Sequence, residues 1–248
     1  IPIDNEEISQ SELNIDNKTR SNLFCWNGQF SPQFIETMLK KYAKQDFLVL
    51  DPFLGSGTTV SECARLGISA YGVELNVSAF WMAKTYECSN LSLMERWRIV
   101  AEVDKIISLI PNNKNILDYI LQGIKRNDDI MVTNILSTLV IVMDVYKNAI
   151  TIELVNIKWE WLKNLILTLP YSEEKICVNR GDSRNIALND SVADMVITSP
   201  PYINVFNYHQ KYRRSVEALG YDVLAIAKNE FGSNRKNRGN RLLTVIQY

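Results

Sequence analysis

Several residue types that build common sites are scarce here. There is one histidine, His209, in 248 residues, and the four cysteines (Cys25, Cys63, Cys88 and Cys177) lie far apart with no Cys-x-x-Cys spacing. That argues against the usual zinc-ligand patterns and a disulfide-stapled secreted module, so no metal site is expected and a reducing cytoplasm is the predicted compartment. No apolar run is long and unbroken enough to span a bilayer, and no signal peptide is visible. The formal net charge is only −1, so a polyanionic partner would have to be met by a local basic patch. With 46% hydrophobic residues the chain can bury one large core or two small ones. It opens on Ile1 and stops at Tyr248 straight after "RLLTVIQY", which predicts part of a longer protein.

Glycine and proline are also sparse, so their positions mark the breaks between elements. Residues 1–21 are polar and without a sustained period, an arm or a short helix. "SPQFIETMLKKYAKQ" carries a helix start at Ser31 with Pro32 as its first residue, and Phe34, Ile35, Met38 and Leu39 fall on one face. "DFLVLD" is an apolar run ending in an acid, the pattern of a strand buried on both faces. "TTVSECARLG" predicts a helix closed by Gly67, "ISAYGVEL" a strand, and "NVSAFWMAKTYECS" another helix. This order opens a doubly wound parallel sheet, and residues 22–90 form its first half. Between Leu91 and Leu169 there is one glycine, Gly123, and one proline, Pro111. Residues 91–170 therefore predict a helical insertion, with long helices over "ERWRIVAEVDKIISLI" and "DDIMVTNILSTLVIVMDVYKNAI" and a core-forming role. Strands resume at "KICVNRGDS" and "ADMVITSPPY", which open a second half over 171–248.

The turn "DPFLGSGTT" at 51–59 follows the first strand, where α/β sheets cradle nucleotides. A phosphate-binding P-loop needs a lysine after the turn, but Thr58 and Thr59 follow Gly57. A dinucleotide fingerprint needs a third glycine, and Val60 stands there, although a helix start could still accept a pyrophosphate. S-adenosyl-L-methionine, cationic and without phosphate, suits the acid Asp51 better. Gly55 and Gly57, lacking Cβ, would let the backbone approach that cofactor closely. Glu74 at the end of the second strand is placed to accept from ribose hydroxyls, a role equally apt for NAD.

"TSPPY" at 198–202 ends a strand at the position where such sheets carry their active site. The paired prolines are rigid and cannot continue a ladder. Together "DPFLGSGTT" and "TSPPY" resemble the cofactor and catalytic motifs of the DNA methyltransferases that modify exocyclic amino groups, N4 of cytosine or N6 of adenine. The resemblance covers roughly residues 22–90 and 175–210 and implies a Rossmann-like, S-adenosyl-L-methionine-dependent methyltransferase fold. It implies cofactor contacts from Phe30 and Ser31 in "FSP", from Asp51, Pro52, Phe53, Gly55, Gly57 and Thr58 in the turn, from Glu74, and from Asp182 and Ser183 in "GDSRN". It also implies that Ser199 and the Pro200 carbonyl accept from the target amino group, that Pro201 fixes that carbonyl, and that Tyr202 stacks on a flipped base. Transfer would be direct, and the absence of a Pro-Cys pair excludes the thiolate route to C5 of cytosine.

The family's order is cofactor motif first here, and four strands are expected near 46–51, 69–75, 175–181 and 193–198, fewer than the family's sheet carries. Beyond residue 205 only "RLLTVIQY" suggests a further strand, so the last part of the catalytic domain is expected to be absent or supplied by a second chain. From Lys211 to Arg241 eight basic residues face three acidic ones. Lys211, Arg213, Arg214, Arg235, Lys236, Arg238 and Arg241 are therefore candidate phosphate contacts to double-stranded DNA, against a plain solvated loop as the alternative. His209 is read as a local hydrogen-bonding residue or a DNA contact, not a base. The serine form of the motif leans toward N4 of cytosine, in a restriction-modification setting. An RNA amino-methyltransferase, or a subunit inactive without its partner chain, stay open beside it.

Overall fold

The structure is a computed structural model that describes residues 8–13, 20–111, 115–145, 149–201 and 207–229. A short helix α1 (Gln10–Leu13) precedes α2 (Pro32–Tyr42), which starts as the sequence predicts. Ser31 caps it, its Oγ accepting from the Phe34 amide at 3.1 Å, and Pro32 takes a position where no amide hydrogen is needed. Ile35 and Leu39 are fully buried, while Phe34 and Met38 pack against the same core.

The chain then alternates β1 (Leu48–Asp51), α3 (Thr58–Leu66), β2 (Ser69–Glu74) and α4 (Val77–Lys84). Gly67 closes α3 in the left-handed region, and Asn76 caps α4 by accepting from the Ser78 and Ala79 amides. The helix expected over "NVSAFWMAKTYECS" is α-helical only to Lys84 and tightens to a 3-10 helix over Thr85–Asn90.

Four longer helices follow: α5 (Leu93–Ser108), α6 (Ile116–Arg126), α7 (Ile130–Val142) and α8 (Ile152–Thr168). Each has a local start signal: the Ser92/Glu95 capping box, Asn115, Asp129 and Thr151. The helix expected over "DDIMVTNILSTLVIVMDVYKNAI" is shorter than its apolar run. It ends at Val142, and Asp144 adopts a left-handed backbone (φ 49°) that a continuing helix cannot hold. Helix α7 is apolar all round and contacts α4, α5, α6 and α8, so it is the centre of this layer. Its core is continuous with that under the sheet. Arg96 of α5 ties the two together: buried to 2% exposure, its guanidinium donates to the carbonyls of Leu91, Ser89, Ile166, Leu169 and Pro170.

Two further strands, β3 (Ile176–Arg180) and β4 (Met195–Val196), complete a four-stranded, all-parallel sheet in the order β3-β2-β1-β4. Short helices α9 (Arg213–Ala218) and α10 (Val223–Ala227) close the described part. The chain leaves β1 toward β2 and β3 on one side, yet β4 returns to its other side. The crevice between the C-terminal ends of β1 and β4 is thus a topological switch point, where ligands of open α/β sheets bind. No helix among the described residues is long and apolar enough to cross a membrane. "RLLTVIQY" lies outside the described residues.

Candidate active site

An open cavity occupies that crevice. Both motifs reach it: Asp51, Pro52, Phe53, Leu54, Gly55, Thr58 and Thr59 from the first, Ser199 and Pro201 from the second. Phe30, Glu74, Asp182 and Ser183 also line it, so most of the cofactor-contact and catalytic candidates meet in one place. Ser31, Gly57 and Pro200 do not line it. Ser31 spends its hydroxyl on capping α2, and Pro200 is exposed beside the cavity.

Asp51 forms the floor. Its Oδ1 accepts from the Phe53 amide at 3.1 Å and from Thr198 Oγ1 at 2.8 Å, and its Oδ2 from Thr59 Oγ1 at 2.7 Å. All three partners are neutral. Burial dominates and raises the Asp51 carboxyl from 3.8 to about 6, against the lowering effect of those bonds. A buried carboxylate with neutral partners is a place where a cationic ligand gains most. Glu74 braces the turn: it accepts from the Gly55 amide at 2.6 Å and the Asn76 amide at 2.7 Å. Asp182 is clasped by its neighbour Arg184, with Nε at 2.9 Å from Oδ1.

The two glycines of the turn have a different reason from the one the sequence suggests. A Cβ on Gly57 would sit 2.8 Å from the Tyr86 ring and 3.0 Å from Ala83 Cα, at φ 99°. On Gly55 (φ 57°) it would sit 3.2 Å from Trp26 Cδ1. Protein side chains, not open space for a ligand, fill the positions where Cβ is missing.

A strap of chain ahead of α2, which sequence reasoning missed, forms one wall of the cavity through Trp26, Asn27, Gly28 and Gln29. It is tied to the turn by Ser56 Oγ to Gln29 Oε1 at 2.9 Å and Thr58 Oγ1 to Asn22 Oδ1 at 2.7 Å. Trp26 stacks on Tyr208, which also lines the cavity, with ring centroids 5.8 Å apart. Lys211 donates to the Cys25 carbonyl at 2.9 Å and lies over the Trp26 ring. The only advance signal was the compact run "CWNGQF", whose Gly28 has φ 71°.

Of the basic candidates, Lys211 is thus engaged with the strap, Arg213 pairs with Glu217 at 2.7 Å, and Arg214 is exposed. Arg235, Lys236, Arg238 and Arg241 lie outside the described residues, as does Tyr202. His209 is buried, at 7% exposure. Cys63 and Cys88 are buried as well, and burial pushes both thiols up, Cys88 to about 12, which disfavours any thiolate role.

An open parallel sheet with an acid-floored cavity at its switch point defines the class: an α/β protein whose cavity lies where open sheets bind their ligands. A family model described as DNA methylase matches residues 5–85. Over that stretch, less than half of the chain, it is similar to the N6/N4 DNA methylase family. It is also similar to the type II methyltransferase M.MjaII of Methanocaldococcus jannaschii, with 37% identity over 51 residues. That match covers 21% of this chain and 10% of the length of the relative. No solved structure matches the chain.

Proposed function

We propose that this protein transfers a methyl group from S-adenosyl-L-methionine to an exocyclic amino group of a flipped base in double-stranded DNA, with N4 of cytosine favoured over N6 of adenine. The observation that carries it is the Thr198–Asp51 hydrogen bond of 2.8 Å, which puts the cofactor-type and catalytic-type motifs on one cavity. The lining supports the choice of cofactor. Three carboxylates, Asp51, Glu74 and Asp182, line the cavity, and none of its described lining residues is Lys, Arg or His. Such a site opposes a pyrophosphate and suits an ammonium and a sulfonium.

When bound, S-adenosyl-L-methionine supplies an electrophilic methyl group on its sulfonium. Asp51 sets the negative potential of the floor. Glu74 fixes the turn, with the edge of its carboxylate toward the cavity. Ser199 and the Pro200 carbonyl accept hydrogen bonds from the target amine, which turns its lone pair toward the methyl. Positioning then supplies most of the rate. Tyr202 stacks on the extruded base. Residues 22–90 and 171–248 act as the cofactor and catalytic halves of one Rossmann-like methyltransferase domain, with 91–170 as a helical insertion and further strands supplied from outside the described residues, by more of this chain or a second one. A role in restriction-modification in a prokaryotic cytoplasm is part of the same proposal.

Incubation with labelled S-adenosyl-L-methionine and duplex DNA or RNA, followed by nucleoside identification, tests the proposal. N4-methylcytosine is the expected product. N6-methyladenine would revise the base, and label confined to RNA would overturn the DNA assignment.

A further inference from the structure

Beyond the sheet, β1 and β4 diverge around the cavity. The Ile197 amide donates to the Leu50 carbonyl at 3.1 Å, and one residue later the junction passes to side chains, Thr198 Oγ1 donating to Asp51 Oδ1. Because Asp51 also holds the Phe53 amide and Thr59 Oγ1, three arms meet on one buried carboxylate: the glycine turn, the start of α3 and the strand that runs into Ser199–Pro201. The fourth strand needs such an anchor. It is two residues long, pairs with β1 over Val49↔Met195 and Leu50↔Val196, and leaves Val196 57% exposed. Pro200 and Pro201 carry no amide hydrogen and cannot extend the ladder.

We propose that Thr198 is a positioning residue: through Asp51 its hydroxyl sets Ser199 and the Pro200 carbonyl relative to the cofactor cradle. The inference rests on the methyl-transfer function proposed above, and deepens it. Thr198 touches no reacting atom. Its side chain acts by fixing the distance between the two halves of the site, and a misplaced acceptor pair weakens the hold on the amine only where the geometry must be tight, in the transition state.

The test pairs Thr198→Val, which keeps the β-branched shape and deletes the donor, with Thr198→Ser, which keeps the donor and deletes the methyl. In the full chain, Thr198→Val is expected to lower kcat about tenfold or more with KM for DNA nearly unchanged, and Thr198→Ser to restore most of it. Hydrogen exchange in the cofactor-free protein supplies a readout independent of turnover. Peptides covering Phe53 and Ile197 should exchange about tenfold faster in Thr198→Val than in wild type or Thr198→Ser. Wild-type kinetics and exchange in Thr198→Val would overturn the inference. Equal losses in both variants would also overturn it, assigning the effect to methyl packing. A wild-type protein that neither binds S-adenosyl-L-methionine nor methylates would overturn the methyl-transfer function instead, while the exchange comparison would still decide whether Thr198 couples the two motifs.

Discussion

Leu54 of the glycine turn lies directly over Gly72 of β2. A Cβ built on Gly72 would fall 2.3 Å from Leu54 Cδ2 and 3.0 Å from its Cγ, and the Leu54 amide donates to the Val73 carbonyl at 3.0 Å. The turn is therefore seated on the second strand by side chain and backbone together. Gly72→Ala must push Leu54 out of a position where it is 5% exposed. The expected cost is about 1–3 kcal/mol of stability, read as a lower urea midpoint, with weaker cofactor binding because the turn shifts.

Asp51 makes a prediction about pH. Its carboxyl is raised from 3.8 to about 6 by burial, so the folded protein holds this proton more tightly than the unfolded chain does. Its contribution to stability is present in full below the unfolded value and is lost as pH rises through about 6. A cationic cofactor favours the ionised form and has the opposite dependence. S-adenosyl-L-methionine affinity should rise with pH up to about 6 and level off above it, by at most about tenfold per pH unit. Calorimetric titrations across that range check this, and Asp51→Asn should flatten the dependence while weakening binding.

Glu36 predicts acid and salt sensitivity of the strap. It pairs with Arg20, with Lys40 at 2.7 Å and with Arg65 at 2.8 Å, while Arg20 and Arg65 also reach Glu62. These cations hold its carboxyl down to about 2 in spite of partial burial. The stability it supplies is present above the usual 4.5 and is lost as pH falls through about 2. Glu36→Gln should remove part of the acid-induced loss and raise the exchange rate of residues 20–30. Amide exchange at low and neutral pH measures both.

Arg96 predicts a stability loss without a direct effect on the site. Arg96→Met would remove a donor from the carbonyls of Leu91, Ile166, Leu169 and Pro170, while Ser89 keeps the Ser172 amide. A loss of about 3 kcal/mol is expected in urea unfolding, with cofactor affinity within about twofold of wild type at low temperature.

Part of this architecture is local and could be read in advance. The start of α2 follows from a serine cap and a proline beside it. The strands β1 and β2 follow from short apolar runs closed by acids. The end of α7 was not legible, because the apolar pattern runs on through Met143 and Val145 while the backbone turns at Asp144. From the sequence alone the glycines of the turn suggest a close approach to a ligand. Tyr86 and Trp26, distant in sequence, occupy the space beside them. The compact run "CWNGQF" could not by itself announce a cavity wall, since its role depends on Tyr208 and Lys211 from the other end of the chain.

The amino-acid sequence alone determined the two motifs, the alternation of strands and helices, and the residue types available for the chemistry, because these depend on neighbours along the chain. Only the tertiary structure decided that the motifs share a site. Asp51 and Thr198 are 147 residues apart, and they meet because the sheet order β3-β2-β1-β4 returns the last strand to the open side of the first. That return buries the Asp51 carboxyl among neutral donors, and burial, which no local pattern encodes, raises it to about 6.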